Sequence, residues 1–230
     1  MAPLIVIEGI DGSGKGTQAQ ALTERLRAIG RTVELLSFPR YRDTLFGHAI
    51  GEFLNGRFGQ LNEVHPFLAS VLYAADRFES KGVLLDALNR CDVVVCDRYV
   101  PSNLAHQGAK LDGTERQELL RTIQQIEFEV FGLPHPQLVV LLDVSVAIAQ
   151  KNIASKKPRS YTDKAADLQE ADGEYLHRVR DVYQHLAATE PNWRRVDSVR
   201  ADGQRPIKDI ADEIFQLVTA EIANGSSAGG

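Results

Sequence analysis

The sequence is 230 residues long, contains 43% hydrophobic residues and carries a formal net charge of −5. This length suits one α/β domain with a sizeable core, and the composition is ordinary for a globular protein. The acidic balance argues against a general binder of nucleic acid or of a membrane surface, because both need a positive field over much of one face. Any affinity for phosphate must therefore be local.

Two further features narrow the class of protein. No apolar run approaches membrane-spanning length, and the N-terminus enters a strand pattern too early for a signal peptide. Cys91 and Cys96 lack the spacing of a metal site or of a secreted disulfide framework, so we interpret them as reduced, largely buried thiols. We expect a cytoplasmic protein without nucleic-acid or membrane partners.

Short β-rich runs alternate with long helical patterns along the chain. This alternation predicts a parallel sheet with helices on both faces, in a single domain over residues 1–223. Residues 224–230 are mostly Gly, Ser and Ala, and they predict a flexible tail. The predicted strands lie near Leu4–Glu8, Thr32–Ser37, Val93–Asp97, Leu138–Asp143 and Arg194–Val196.

The segment G-I-D-G-S-G-K-G-T lies between the first strand and an amphipathic helix. Its glycines allow tight turns that aim backbone N–H groups inward, the helix N-terminus points at the same place, and the lysine adds a full charge. A Gly-rich turn without a ligand is the alternative, but the strand and helix around the motif favour a phosphate cradle. The predicted triphosphate-binding residues are Gly9, Asp11, Gly12, Ser13, Gly14, Lys15, Gly16 and Thr17.

One position departs from the usual phosphate-loop pattern. Gly16 follows Lys15 where a Ser or Thr usually contacts Mg²⁺, and the hydroxyl comes one residue later, on Thr17. We therefore expect phosphates, water and carboxylates to hold Mg²⁺. The sequence identifies no definite direct ligand, and Thr17 and Asp97 are the candidates, either directly or through water.

The third predicted strand ends in Asp97, and Arg98 follows it. In an open parallel sheet, ligands bind beyond the carboxyl ends of the strands, so this pair belongs near the glycine loop. An isolated Asp-Arg dipeptide could form only a structural ion pair. The glycine loop favours phosphoryl transfer instead, which needs in-line positioning and positive charge that Lys15, Mg²⁺ and Arg98 can supply.

A helix predicted over about residues 63–89 carries two stripes. Tyr73 and Arg77, four residues apart, project together and suit a base that stacks on the ring while the guanidinium donates to a ring carbonyl. A partly buried Tyr beside a solvated Arg is the alternative. Ser70 extends this polar stripe, and the predicted core-facing stripe consists of Phe67, Val71, Ala74 and Phe78.

The motifs together resemble the thymidylate kinase family over most of the chain, in the same order. The shared features are Asp11 in the loop, Phe38-Pro39-Arg40, the Tyr73 and Arg77 pair, and D-R-Y-x-x-S-x-x-A-x-Q-G over Asp97–Gly108. The resemblance implies a three-layer α/β P-loop fold with a five-stranded parallel sheet and a lid. It also implies ATP as donor, dTMP as acceptor, Mg²⁺ as cofactor, dTDP formation for dTTP synthesis, and a homodimer.

The resemblance also implies roles for individual residues. Asp11 would contact the deoxyribose 3′-hydroxyl, and Arg40 and Arg98 would hold the acceptor phosphate. Phe38 would border the base, Tyr73 would stack on it, and Arg77 would reach its carbonyl. The base pocket would be completed by Ser102, Asn103 and Gln107, and His106 would bind the substrate on the sugar side.

Two departures from the family pattern bear on specificity and catalysis. His106 stands where many members carry Tyr against the sugar 2′ position, which puts strict selection of deoxyribonucleotides in doubt. Gly12 stands where some members carry a catalytic Arg. Members of the family that lack this Arg supply basic residues from the lid instead. The lid is expected over residues 155–167, where Arg159 is the best candidate beside Lys156 and Lys157.

Other nucleotide enzymes and a nucleotide-dependent switch protein are the alternatives. The G-S-G-K-G-T-Q run resembles the adenylate kinase loop, but that family has Pro at the place of Asp11. A deoxynucleoside kinase would need a general base at the 5′-hydroxyl, whereas a phosphate acceptor is already ionised. GTP-dependent switch proteins share an N-K-x-D motif, which this sequence lacks.

Overall fold

The structure is a computed structural model that describes residues 1–60, 63–155, 173–200 and 203–227. Its central sheet has five strands, each close to a predicted one. The strands are β1 (Leu4–Glu8), β2 (Val33–Ser37), β3 (Val93–Asp97), β4 (Leu138–Asp143) and β5 (Trp193–Asp197).

All strand pairs in this sheet are parallel, and the strand order is β2-β3-β1-β4-β5. The glycine loop therefore leaves from the middle strand, between β3 and β4. An antiparallel pair that the sequence patterns did not predict, β6 (Val199–Arg200) with β7 (Gly203–Gln204), follows β5.

Helices connect the strands and cover both faces of the sheet. A π-helical turn, Gln125–Val130, continues the sixth helix directly. The α-helices are α1 (Lys15–Ala28), α2 (Leu45–Leu54), α3 (Pro66–Glu79), α4 (Lys81–Arg90), α5 (Val100–Gly108), α6 (Gly113–Gln124), α7 (Val146–Ala154), α8 (Gly173–Thr189) and α9 (Ile207–Ser227).

Two hydrophobic clusters pack on the sheet, one on each face, and a third, smaller cluster lies between α2 and α3. Alternate strand residues point to opposite faces, so Val6 packs in the cluster with α4, α5 and α8, whereas Ile7 packs with α1 and α9. Full burial of such an aliphatic side chain contributes roughly 1.5–3 kcal/mol. The predicted three-layer α/β fold is confirmed.

The long helix predicted over residues 63–89 is two helices, α3 and α4, which meet at Ser80. The prediction that Phe67 and Phe78 face the core is wrong, because they are 38% and 50% exposed. The buried face of α3 instead carries small and polar residues, among them Ser70 and Arg77, because it packs against α2 and α5 rather than the sheet.

The C-terminal helix α9 extends to Ser227 and so enters the segment that composition predicts as a flexible tail. Residues 228–230 lie outside the described part. Within the described ranges, no helix combines the length and apolar character needed to cross a membrane.

Candidate active site

The carboxyl ends of β1, β2 and β3 lie side by side. Asp97 pairs in register with Ile7 of β1 and with Ser37 of β2. The glycine loop, the Phe38–Arg40 segment and the Asp97-Arg98 pair therefore start from one edge of the sheet. The prediction that the Asp97-Arg98 pair lies near the glycine loop is confirmed, and the Phe38–Arg40 segment lies at the same edge.

The glycine loop turns sharply before it enters α1. Gly14 is the N-cap of α1 and has a φ of 95°, in the left-handed region that favours glycine. Gly12 has a φ of 81°, and a Cβ there would lie 2.2 Å from the carbonyl oxygen of Ala149. A larger residue at position 12 would require the backbone of α7 to move.

Lys15 lies at the start of α1, with its side chain buried against the loop. Its Nζ donates to the carbonyl oxygen of Ile10 at 2.9 Å. Burial, and then the nearby charge of Arg98, lower the pKa of Lys15 to about 8 despite the carboxylates of Asp11 and Asp97. The ammonium is therefore poorly solvated, and an anion in the cradle would stabilise its charged form.

Asp97 borders the loop at Gly16, where the usual hydroxyl is missing. A Cβ on Gly16 would lie 3.1 Å from Oδ2 of Asp97. The other carboxylate oxygen, Oδ1, is buried and makes no hydrogen bond within the described part of the chain. Thr17 is exposed and, with Lys15 and Asp97, lines a groove along the glycine loop, here called the phosphate groove. A carboxylate with a free oxygen suits Mg²⁺ or its water shell, although the described residues contain no cluster of three metal-binding side chains.

Arg98 joins the glycine loop to α5. Its φ is 69°, and its backbone N–H donates to the carbonyl of Ile7. The guanidinium donates to Oδ1 of Asp11 at 2.6 Å and to the Ser102 hydroxyl at 2.9 Å. Burial opposes the charged form, but surrounding carboxylates, with Asp11 first, raise the pKa of Arg98 well above its usual value. Arg98 is therefore a permanent cation beside the loop.

A cavity opens next to Arg98, between α3 and α5. It contains every predicted acceptor-site residue except Arg40, and it adds Pro39, Tyr41 and Leu54 to the predicted set. The predicted residues on its wall are Asp11, Phe38, Tyr73, Arg77, Arg98, Ser102, Asn103, His106 and Gln107.

Two polar side chains on the cavity wall, Arg77 and Gln107, differ in how fully they are hydrogen-bonded. Arg77 is 2% exposed and forms a bidentate ion pair with Glu127. Gln107 is fully buried, and neither polar atom of its amide has a hydrogen-bond partner within the described ranges. Since buried amides are normally paired, this part of the cavity wall suits a polar ligand.

Comparisons with known proteins identify the family of the chain. A sequence model of the thymidylate kinase family matches residues 7–214. The thymidylate kinase of Mycobacterium tuberculosis is 37% identical over 185 residues, which cover 80% of this chain and 86% of that protein. The chain belongs to the thymidylate kinase family. A probable thymidylate kinase of Thermococcus gammatolerans is 36% identical, in a match that covers 98% of this chain and 100% of that protein.

The fold agrees with a solved thymidylate kinase from Candida albicans, with a TM-score of 0.73 at 26% identity. That match covers 95% of this chain and 92% of the other. This member of the thymidylate kinase family is therefore a phosphotransferase that uses ATP. The adenylate kinase and switch-protein alternatives are not favoured.

Glu8 is a site residue that sequence reasoning missed. It is the last residue of β1 and is fully buried, and burial raises its pKa although the charge of Arg98 opposes this. Its carboxylate accepts from the backbone N–H of Tyr99 at 2.8 Å, from the Ser102 hydroxyl at 2.7 Å and from the Tyr183 hydroxyl at 2.7 Å. Glu8 thus holds the first turn of α5 beside Arg98. A carboxylate directly before Gly9 was the only signal for it.

His106 is buried, and it contacts Arg98 and Tyr175 through its ring. Burial, and then the charge of Arg98, lower the pKa of His106 to about 3, so the ring is neutral near pH 7. A guanidinium only donates, so Nε2 accepts from Arg98 at 3.3 Å and Nδ1 carries the proton towards the Tyr175 hydroxyl at 3.1 Å. Tyr175 in turn donates to the backbone carbonyl of His106. This network fixes the ring on the cavity wall.

Two other predictions have different outcomes. Arg40 does not line the cavity, because its guanidinium contacts the Ser80 hydroxyl at 3.4 Å and Asp43 at 3.2 Å. Arg159, with Lys156, Lys157 and most of the expected lid over residues 155–167, lies outside the described residues. Helix α7 ends at Ala154, immediately before that segment.

Proposed function

We propose that this protein transfers the γ-phosphate of ATP to dTMP, giving dTDP and ADP for dTTP synthesis. One observation carries the proposal: the phosphate groove and the cavity share a wall, which is made by Asp11, Phe38, Pro39, Tyr41 and Arg98. A nucleotide in the cavity can therefore direct its phosphate towards the cradle that holds the donor.

In this proposal the cavity binds thymine. Tyr73 stacks on the ring, Phe38 borders it, and Arg77 donates to a carbonyl. Ser102, Asn103, His106 and Gln107 complete the pocket, as their places on its wall support. Asp11 accepts from the 3′-hydroxyl, and Arg98 holds the acceptor phosphate with Arg40, whose side chain must then turn from Ser80 and Asp43 towards the ligand.

An oxygen of the acceptor phosphate attacks the γ-phosphorus as the bond to the β–γ bridging oxygen of ATP breaks. The acceptor is already ionised, so no general base is required. Lys15 and Arg98 approach the charged phosphate oxygens from opposite sides, Lys15 from the donor and Arg98 from the acceptor. The backbone N–H groups of residues 9–17 surround the donor phosphates. Mg²⁺, when bound beside Asp97 and Thr17, supplies further positive charge to the donor phosphates.

Arg159 is proposed as an additional catalytic cation. The loop offers no side chain at position 12, where a Cβ would collide with the Ala149 carbonyl. The charge that some family members place there must then come from another segment. Among Lys156, Lys157 and Arg159, we assign the role to Arg159 because a guanidinium can bridge donor and acceptor phosphates.

The protein is further proposed to act as a homodimer in the cytoplasm, without nucleic-acid or membrane partners. The outward stripe of α3 supports the dimer, because it exposes Phe67, Leu68 and Phe78. The Phe78 ring packs against that of Phe131, with centroids 4.6 Å apart, which extends this apolar surface. Surfaces of this kind commonly mark protein interfaces.

A coupled ADP-release assay tests the reaction. The purified protein is given ATP and Mg²⁺ with dTMP, dUMP, dCMP, dAMP, dGMP or unphosphorylated thymidine. We expect turnover with dTMP and none with thymidine. Turnover with thymidine and none with dTMP would identify a deoxynucleoside kinase, and preference for a purine monophosphate would place the protein among other monophosphate kinases.

A further inference from the structure

The ion pair between Arg77 and Glu127 links the cavity to the π-helical turn. Arg77 is 2% exposed and Glu127 is fully buried. Nε and Nη2 of Arg77 donate to the two carboxylate oxygens at 2.5 and 2.6 Å. Nη1 makes no hydrogen bond within the described part of the chain, and Arg77 lines the cavity. One N–H face of Arg77 is therefore fixed by Glu127, while Nη1 remains for a ligand.

Glu127 owes its place to the π-helical turn. Such turns are rare and frequently occur at functional sites. The turn ends α6 with wider backbone bonds, as in the Phe131 N–H to Ile126 carbonyl bond of 2.8 Å. Glu127 faces inward, whereas Glu129 on the same turn is exposed. The turn thus inserts one carboxylate between α3 and α5.

The same carboxylate also orients Asn103. Nδ2 of Asn103 donates to Glu127 at 2.8 Å and to the backbone carbonyl of Ser70 at 3.0 Å. Both partners are acceptors, so the reverse amide orientation would place Oδ1 against two oxygens. Oδ1 is buried, makes no hydrogen bond within the described ranges, and belongs to a residue on the cavity wall. Asn103 therefore presents an acceptor and Arg77 a donor.

We propose that Glu127 is a positioning residue that sets this donor and acceptor pattern and thereby selects thymine over cytosine. The proposal rests on the proposed dTMP kinase activity. Thymine and uracil offer a carbonyl acceptor at C4 and an N3–H donor, which match Arg77 and Asn103. Cytosine offers an amino donor at C4 and an acceptor at N3, the reverse pattern. A site built for hydrogen bonds penalises a ligand that leaves its polar groups unpaired.

The test compares kcat and KM for dTMP and dCMP in the wild type, Glu127→Gln and Glu127→Asp. Gln can donate as well as accept, so it permits Asn103 to turn its amide. We expect Glu127→Gln to lower the kcat/KM ratio of dTMP to dCMP by on the order of 10²-fold, mainly through a higher KM for dTMP. Glu127→Asp keeps a charged, acceptor-only group and should recover part of the ratio, while KM for ATP stays unchanged.

Glu129→Gln is the matched control, because it removes a carboxylate from the same turn at an exposed position. An unchanged dTMP to dCMP ratio in folded Glu127→Gln would overturn the proposal, even if kcat fell for both substrates. Where Glu127→Gln does not fold, Asn103→Ala removes the acceptor oxygen and keeps the ion pair. An unchanged ratio in that variant would also contradict the proposal. A wild type inactive on dTMP would instead refute the proposed function.

Discussion

The base end and the phosphate end of the site are organised differently. At the base end, Arg77 donates two hydrogen bonds to Glu127. Burial lowers the pKa of Arg77, but the carboxylate of Glu127 outweighs burial and raises it. At the phosphate end, Lys15 donates only to a backbone carbonyl within the described part of the chain, and its pKa falls to about 8. The protein satisfies its own charges where the base binds, and it leaves charge for a ligand where phosphate binds.

Arg98 and Asp11 connect these two ends. Their 2.6 Å ion pair joins the glycine loop to the cavity wall, and both residues line both spaces. A ligand that engages either side chain must share it with the other. The base end can therefore be rigid before substrate arrives. At the phosphate end, the positive charges are balanced only when the donor and acceptor phosphates are bound.

The largest expected effect tests the phosphate end. Lys15→Ala should lower kcat by on the order of 10³-fold, because it removes a cation aimed at the transferred group. Binding of dTMP and the melting temperature should change little. Lys151→Ala, at an exposed position of α7, is the control. Steady-state kinetics with near-normal kcat for Lys15→Ala would show that the cradle does not depend on this charge.

The second prediction concerns Arg159, in the expected lid, which belongs to neither the base end nor the phosphate end. Arg159→Ala should lower kcat by roughly 10²-fold or more with little change in KM for dTMP, as expected for an interaction made only in the transition state. Lys156→Ala and Lys157→Ala are measured beside it. Equal, mild effects in all three variants would reduce these residues to a solvated basic cluster.

The smallest effect is expected from His106, on the cavity wall beside Arg98. Its folded pKa of about 3 lies below the unfolded value, so the unfolded chain binds a proton as pH falls through about 6.5 and the folded chain does not. Stability is therefore lost towards acid. Between about pH 7 and about pH 5, this group alone removes about 2 kcal/mol of unfolding free energy.

Chemical denaturation of the wild type and His106→Tyr at both pH values measures this loss. Tyr does not titrate in this range, so the variant should lose about 2 kcal/mol less than the wild type. His48→Gln, at an exposed position, should behave as the wild type does. Equal losses of unfolding free energy in the wild type and in His106→Tyr would show that the His106 ring is also protonated in the folded protein.

Local patterns predicted the sheet, the glycine loop and the Tyr73 and Arg77 pair, because each lies within a short segment that periodicity or a strand end locates. The rest of the cavity wall, including the residues of the Asp97–Gly108 signature, was predicted from the resemblance to the thymidylate kinase family. The α3 stripe of Phe67 and Phe78 was also a real apolar stripe. Its direction was wrong, because the sequence cannot tell a stripe that faces the core from one that the chain leaves uncovered.

Long-range partners could not be predicted in this way. Glu127 meets Arg77 from 50 residues away, and its inward orientation depends on a π-helical turn that no local pattern indicated. Glu8 was a visible carboxylate, but its bonds to α5 and α8 depend on tertiary packing. The position of Arg40 directly after Pro39 does not fix the direction of its side chain, which depends on its contacts with Ser80 and Asp43.

The separation of the two ends is tested most directly by calorimetric titration of dTMP and of a non-hydrolysable ATP analogue. Arg77→Ala should raise the Kd for dTMP by roughly 10–100-fold, the value of a charged hydrogen bond, and leave the Kd for the ATP analogue unchanged. An Arg77→Met/Glu127→Gln double variant, which leaves no unpaired buried charge, should do the same. Weaker binding of the ATP analogue with unaffected binding of dTMP, in either variant, would contradict the account.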